Sequence, residues 1–231
     1  MRRLWLLLSL LLLTAASACG SAPEAGEPEA EAPAETETAP AEAETGAAAD
    51  GETLVIYFSR VGNTDFPADV DAVSSASVVR TENGIEGNAQ LMARWMAEET
   101  GGALFELQTA EKYPADYTET TNAAKAEQNR NARPALVSEP EGLDRCSAVY
   151  LVFPNWWADL PMALYTFFEG HDLTGRTLYV SVTHGGSGFS RTLSTLEELA
   201  PGAKIVEGLS LRDSDVPGAE DTVRQWARET R

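Results

Sequence analysis

The chain of 231 residues carries 36 acidic against 17 basic side chains, a formal net charge of −19 at pH 7. That balance argues against nucleic acid and against anionic lipid surfaces as partners, and leaves a basic protein partner open. Its two cysteines, Cys19 and Cys146, exclude a Cys-x-x-Cys metal or redox site, so any redox chemistry here needs a cofactor.

The first 52 residues do not read as part of a folded domain. Met1 to Arg3 are basic, Leu4 to Leu13 almost wholly apolar, and Thr14 to Ala18 small, which is the order of a secretory signal and too short for an ordinary spanning helix. Ala16-Ser17-Ala18-Cys19 resembles the bacterial lipobox, although Leu is commoner three residues before the cysteine. The expectation is a signal peptide over 1–18 and a diacylglycerated Cys19. The competing reading is an ordinary secreted protein cut near Ala18, or a retained anchor. Residues 20–52 are Ala, Glu, Pro, Thr, Ser, Gly and one Asp, without an aromatic residue or a base. Such a stretch buries too little apolar surface to offset the entropy of ordering it, so 19–52 is expected to be a lipidated, extended linker. Setting aside its ten acids, and Arg2 and Arg3, leaves 26 acids and 15 bases, so the remaining 53–231 carry a net charge of −11.

Leu54 to Phe58 is an apolar run ending in Ser59, Arg60, Gly62, Asn63 and Thr64, as a buried strand entering a polar loop should look. Residues 65–86 are turn-rich, with Pro67, Ser74, Ser75 and Asn83-Gly84 as breakers and Ala76 to Arg80 the one short extended piece. A helix follows, with Asn88 as expected N-cap, Leu91, Met92, Trp95 and Met96 on one face, and Gly101-Gly102 as its stop. Ala103 to Leu107 reads as a strand, Tyr113 to Tyr117 as a loop, and Glu119 to Arg130 as a polar helix acting as solvated cover. Ala148 to Phe153, Thr177 to Val182 and Lys204 to Leu209 are further strands. They alternate with helices at Pro161 to Phe168, Arg191 to Leu199 and Glu220 to Glu229. This alternation predicts an α/β, three-layer, doubly wound domain with about five parallel strands. Cys146 is expected to be small and buried, and His171 to sit in a polar turn.

Three strand ends carry unusual loops, and in such a sheet they would ring one crevice. The first offers hydroxyls and backbone N–H groups suited to a phosphomonoester, with no Walker Gly-Lys-Ser/Thr pattern for a nucleoside triphosphate. The second, Pro154-Asn155-Trp156-Trp157, pushes two large rings out of a strand end. The third, Thr183-His184-Gly185-Gly186-Ser187-Gly188, is bare backbone able to approach a ring edge. Together they describe a flavin mononucleotide (FMN) site.

These motifs resemble those of the flavodoxins. Tyr-Phe-Ser-Arg-x-Gly stands at Tyr57 to Gly62, Gly-Asn at Gly87-Asn88, Tyr-Pro-x-x-Tyr at Tyr113 to Tyr117, and the aromatic and glycine loops at 154–157 and 183–188. The resemblance spans nearly all of 53–231. It implies a flavodoxin-like fold with a five-stranded parallel sheet in the order 2-1-3-4-5, FMN at the strand ends, and electron transfer or FMN-dependent reduction. Ser59 and Arg60 then belong to the phosphate region, and Asn88 is at least as good a phosphate ligand as Asn63. Ala89 departs from the family's Thr. One tryptophan, Trp156 in preference to Trp157, is expected to stack on the isoalloxazine. His184 is either a donor near the N1 and O2 edge or a satisfied loop histidine. No catalytic residue or metal ligand is assigned.

The leading expectation is an FMN-binding electron carrier in the bacterial cell envelope, lipid-anchored outside the cytoplasmic membrane. It would exchange electrons with a redox partner protein or a small quinone-like acceptor. Two alternatives stay open, an FMN-dependent quinone-type oxidoreductase using NAD(P)H and a flavin-free surface binding lipoprotein on the same fold.

Overall fold

The computed structural model describes residues 53–67 and 77–231. The signal, the lipobox with Cys19, the acidic linker and Ser74 to Ala76 of the turn-rich excursion lie outside the described residues.

Five parallel strands form the sheet: β1 (Thr53–Tyr57), β4 (Ala103–Glu106), β5 (Ala148–Pro154), β6 (Thr177–His184) and β7 (Lys204–Arg212), in the order β4-β1-β5-β6-β7. Renumbered along the chain this is 2-1-3-4-5, as expected. Both faces of the central strands are apolar because both are covered. Leu54, Ile56, Leu151, Phe153, Val180 and Val182 point into one core with Leu164 and Phe167 of α3 (Met162–Gly170) and Leu196 of α4 (Thr192–Leu199). Val55, Tyr57, Tyr150 and Val152 point into the other, against Met92 and Met96 of α1 (Asn88–Thr100) and Val223 and Ala227 of α5 (Glu220–Thr230). Cys146 is buried at the entry to β5, as expected.

Several expectations are corrected. The excursion before α1 closes as an antiparallel hairpin, β2 (Val78–Thr81) and β3 (Gly84–Gly87), turning at Glu82-Asn83. Its second strand runs straight into the helix, so Gly87, not Asn88, is the N-cap, and Gln90 Oε1 accepts the Gly87 N–H at 3.0 Å. A side chain at Gly87 would strike Ser59, whose Oγ lies 1.9 Å from the place a Cβ would take. The polar helix, α2 (Tyr117–Asn129), begins at Tyr117 behind an Asp116 N-cap and buries Thr120 and Ala124. Finally, β6 and β7 pair beyond their apolar stretches, through Thr183↔Leu211 and His184↔Arg212. Ladder bonds hold these polar residues in extended backbone where hydropathy alone would end the strand.

Candidate functional site

The loop after β1 is braced from within. Asn63 is fully buried, and its amide Nδ2 donates to Ser59 O at 2.8 Å and Leu107 O at 3.1 Å. Its Oδ1 accepts from Thr109 N–H at 2.7 Å and Thr109 Oγ1 at 3.0 Å. Two donors and two lone pairs are all that an amide has. Of the two asparagines offered for the phosphate, Asn63 is therefore a brace between the loops after β1 and β4. Gly62 is packed so closely on Glu106 that a Cβ would sit 1.9 Å from its carboxylate oxygen. Thr64 is buried, and its loop is pinned by a bridge to Tyr113.

Arg60 turns the other way. Its guanidinium is buried, donates to Ala115 O at 2.7 Å, and lies over the rings of Phe66 and Tyr117. Burial pushes its pKa down from the ordinary arginine value, which still leaves it a cation at neutral pH. Ser59 touches the start of α1, where Asn88 is buried and Ala89 packs into the core. Asn88 N–H donates to Ser77 O at 3.1 Å. The positive end of the α1 dipole therefore lies beside Ser59 and next to Ser77.

After β5 the chain makes a tight turn over Trp156 to Asp159. Trp156 and Asp159 exchange both backbone hydrogen bonds, at 3.0 and 3.1 Å, while Trp157 and Ala158 sit at φ 55° and 63°. Two consecutive left-handed residues make this a type I′ turn, normally the place of Asn-Gly, and with other residues each costs on the order of 1 kcal/mol. What over-determines it is Asp159. Its side chain is completely buried, pairs with Arg191, and accepts from Tyr165 Oη at 2.7 Å and Thr195 Oγ1 at 2.8 Å. Burial pushes its carboxyl up, but those hydrogen bonds outweigh it and hold the pKa below the ordinary carboxylate value.

The turn fixes the two tryptophans differently. Trp156 stands edge-on to Phe58 and Tyr113, with centroids 5.3 and 5.1 Å away. Trp157 is 49% exposed, donates its indole N–H to Thr121 O at 2.9 Å, and has Lys125 over its ring.

In the third loop, His184 Nδ1 accepts the Gly186 N–H at 2.9 Å, so the neutral ring carries its proton on Nε2. Burial, and then the nearby Arg212 guanidinium, push its pKa below the ordinary histidine value. At neutral pH His184 is thus uncharged, and its ring also hydrogen-bonds the backbone of Ser210.

The three loops meet. A cleft of ≈ 300 Å³ is lined by Arg60 from the first, Pro154, Asn155, Trp156 and Trp157 from the second, and Thr183, His184 and Gly185 from the third. Ser59, Gly62, Asn63, Thr64, Asn88, Ala89, Gly186, Ser187 and Gly188 are not on its wall; they frame it. The fourth side was missed in the sequence. Tyr117, Thr120, Thr121 and Ala124 of α2 line the cleft, so this helix is a wall and not only a solvated cover, and Ser77 lines it too. The Tyr-Pro-x-x-Tyr spacing marked Tyr117 without showing what it faces. Among the described residues, no group of three or more His, Cys, Asp or Glu side chains is placed to hold a metal ion.

Comparison with known proteins agrees with this geometry. A family model described as flavodoxin matches residues 78–230. A candidate flavoprotein from Bacteroides uniformis ATCC 8492 is similar in structure, with a TM-score of 0.58 and 28% identity over 77% of this chain and 98% of that one. A second, from Bacteroides eggerthii DSM 20697, gives 0.53 and 24% over 75% and 98%. A Lactobacillus acidophilus NCFM flavoprotein solved in complex with FMN gives 0.50 and 18% over 73% and 97%. No curated protein matches the chain significantly.

Proposed function

The chain belongs to the flavodoxin family, and on that premise we propose that it binds one FMN in the cleft and carries electrons at the outer face of a bacterial membrane. The observation that carries this reading is the meeting of three strand-end loops around one cleft walled by Tyr117, Trp156 and Trp157. Tyr117 and Trp157 are two of the three large hydrophobic side chains exposed among the described residues, and a flat ligand would cover both.

The residues present fit that cofactor. Trp157 is the ring's contact, held in place by its turn, and Trp156 is the packing beneath. Arg60 and Ser77 on the cleft wall are the residues that would meet the phosphate, with Ser59 and the positive end of α1 behind them. Buried oxygens of Asn155 and Thr183, two residues of the cleft lining, have no protein partner among the described residues. FMN supplies reversible electron acceptance at its isoalloxazine; the protein supplies orientation and water exclusion, with His184 uncharged on the cleft wall.

The net charge of −11 over residues 53–231 suits a basic redox partner protein, with a small quinone-like acceptor as the other candidate. An acyl chain on Cys19 and the acidic linker would tether the domain outside the cytoplasmic membrane, and Cys19→Ala is expected to release it. The deciding experiment is a visible spectrum of the purified protein before and after adding FMN. A yellow protein with one flavin per chain is expected. A colourless protein that takes up no FMN contradicts the proposal.

A further inference from the structure

Asn155 and Thr183 stand side by side at the ends of β5 and β6. Pro154 is in register with Thr183, and Asn155 N–H donates to Thr183 O at 2.8 Å. Both residues line the cleft.

The orientation of the Asn155 amide is set by chemistry. Its Nδ2 lies 2.7 Å from Gly188 O, which can only accept. It also lies 3.1 Å from Ser190 Oγ, whose own proton is given to Ser187 O at 3.0 Å. Nδ2 must therefore face the glycine loop, and Oδ1 must take the opposite position. There Oδ1 is buried with no partner among the described residues, and so is Thr183 Oγ1 on a residue 1% exposed. Folded proteins rarely bury such atoms unsatisfied without a functional reason.

An amide oxygen accepts only, so the missing partner must bring an N–H or O–H. The neighbouring hydroxyl can donate to an adjacent carbonyl. An imide, an N–H flanked by C=O groups, satisfies both at once. The oxidised isoalloxazine has a single ring N–H, at N3, between C2=O and C4=O. We infer that Asn155 Oδ1 accepts the flavin N3–H and that Thr183 Oγ1 donates to a carbonyl beside it, so this pair reads the pyrimidine edge. The inference rests on the flavin reading above. It makes Asn155 a specificity-determining residue whose amide is locked by the glycine loop.

The test measures FMN and N3-methyl-FMN binding to wild-type protein and to Asn155→Ala by flavin fluorescence. Wild type is expected to bind FMN about tenfold or more tightly than N3-methyl-FMN, the effect of one hydrogen bond lost with its acceptor left buried. In Asn155→Ala the two affinities are expected to converge to within about threefold, since the acceptor is gone and the methyl has room. A merely structural role would weaken both flavins alike and keep the ratio. Equal binding of the two flavins to wild type, or an unchanged ratio in the variant, overturns the assignment. If the variant does not fold, ¹⁵N3-labelled FMN on wild type decides: slowed exchange of N3–H supports the assignment, and exchange as fast as in free FMN overturns it. Wild type that binds neither flavin overturns the flavin reading itself.

Discussion

The loop leaving β1 and the loops leaving β5 and β6 use the same kinds of residue in opposite ways. In the first, polar side chains are spent on the protein: Asn63 makes four hydrogen bonds inward, and Gly62 closes on Glu106. In the others, Asn155 Oδ1 and Thr183 Oγ1 have no protein partner among the described residues, and Trp157 is half exposed. One region is frame and the other is face. The difference teaches that a polar loop at a strand end shows where a site is, but only its unspent hydrogen-bonding capacity shows which residues touch the ligand.

The largest expected effect tests the frame. Asn63→Leu strands Ser59 O, Leu107 O and the Thr109 N–H in the interior, while the Thr109 hydroxyl keeps Glu111 O, and should lower unfolding stability by about 3 kcal/mol in urea titrations. Molecules that still fold should bind FMN within about threefold of wild type. A large selective loss of affinity at unchanged stability would move Asn63 to the face.

The face should answer in reverse. Trp157→Ala is expected to weaken FMN binding about 10- to 100-fold, with a smaller loss of stability of about 1–2 kcal/mol from the half of the ring and the Thr121 hydrogen bond that α2 covers. Trp156→Ala, wedged against Phe58 and Tyr113, should instead lower stability by about 3 kcal/mol. Swapped outcomes would restore Trp156 as the stacking ring.

Asp159 joins the two behaviours, being a buried anchor that holds an exposed ring in place. Its folded pKa is depressed, so its charge contributes stability that is complete above the unfolded value and lost as pH falls through the folded one. Asp159→Asn should therefore cost about 2 kcal/mol at pH 7, and the gap to wild type should narrow below about pH 4. Urea midpoints across that range check it, and a gap independent of pH would contradict it. The smallest effect belongs to the turn itself. Ala158→Gly should raise stability by about 0.5–1 kcal/mol, since glycine accepts φ 63° without strain.

Much of the frame was legible in the sequence because parallel strands covered on both faces read as unbroken apolar runs, as in Ala148 to Phe153. The meeting of three loops followed from strand order. What stayed hidden depends on contacts between distant segments. Nothing local says that Thr120 and Thr121 turn toward a cleft, since a polar helix looks alike whether it faces water or a ligand. Asp159 reads as one more polar residue until Tyr165, Thr195 and Arg191 close around it. Asn63 and Asn88 share a Gly-Asn context, and only the partners from Leu107 and Thr109 separate brace from helix start. The hairpin before α1 escaped because Gly84 to Gly87 is too short and mixed for its pattern to register.

The most direct test of the central claim is a titration of isotope-labelled apoprotein with FMN, followed by NMR. Saturation at one FMN per chain is predicted, with the large shifts confined to Trp157, Asn155, Thr183 to Gly185, the α2 face from Tyr117 to Ala124, and the start of α1. Shifts centred away from these residues, or none at saturating FMN, would contradict it.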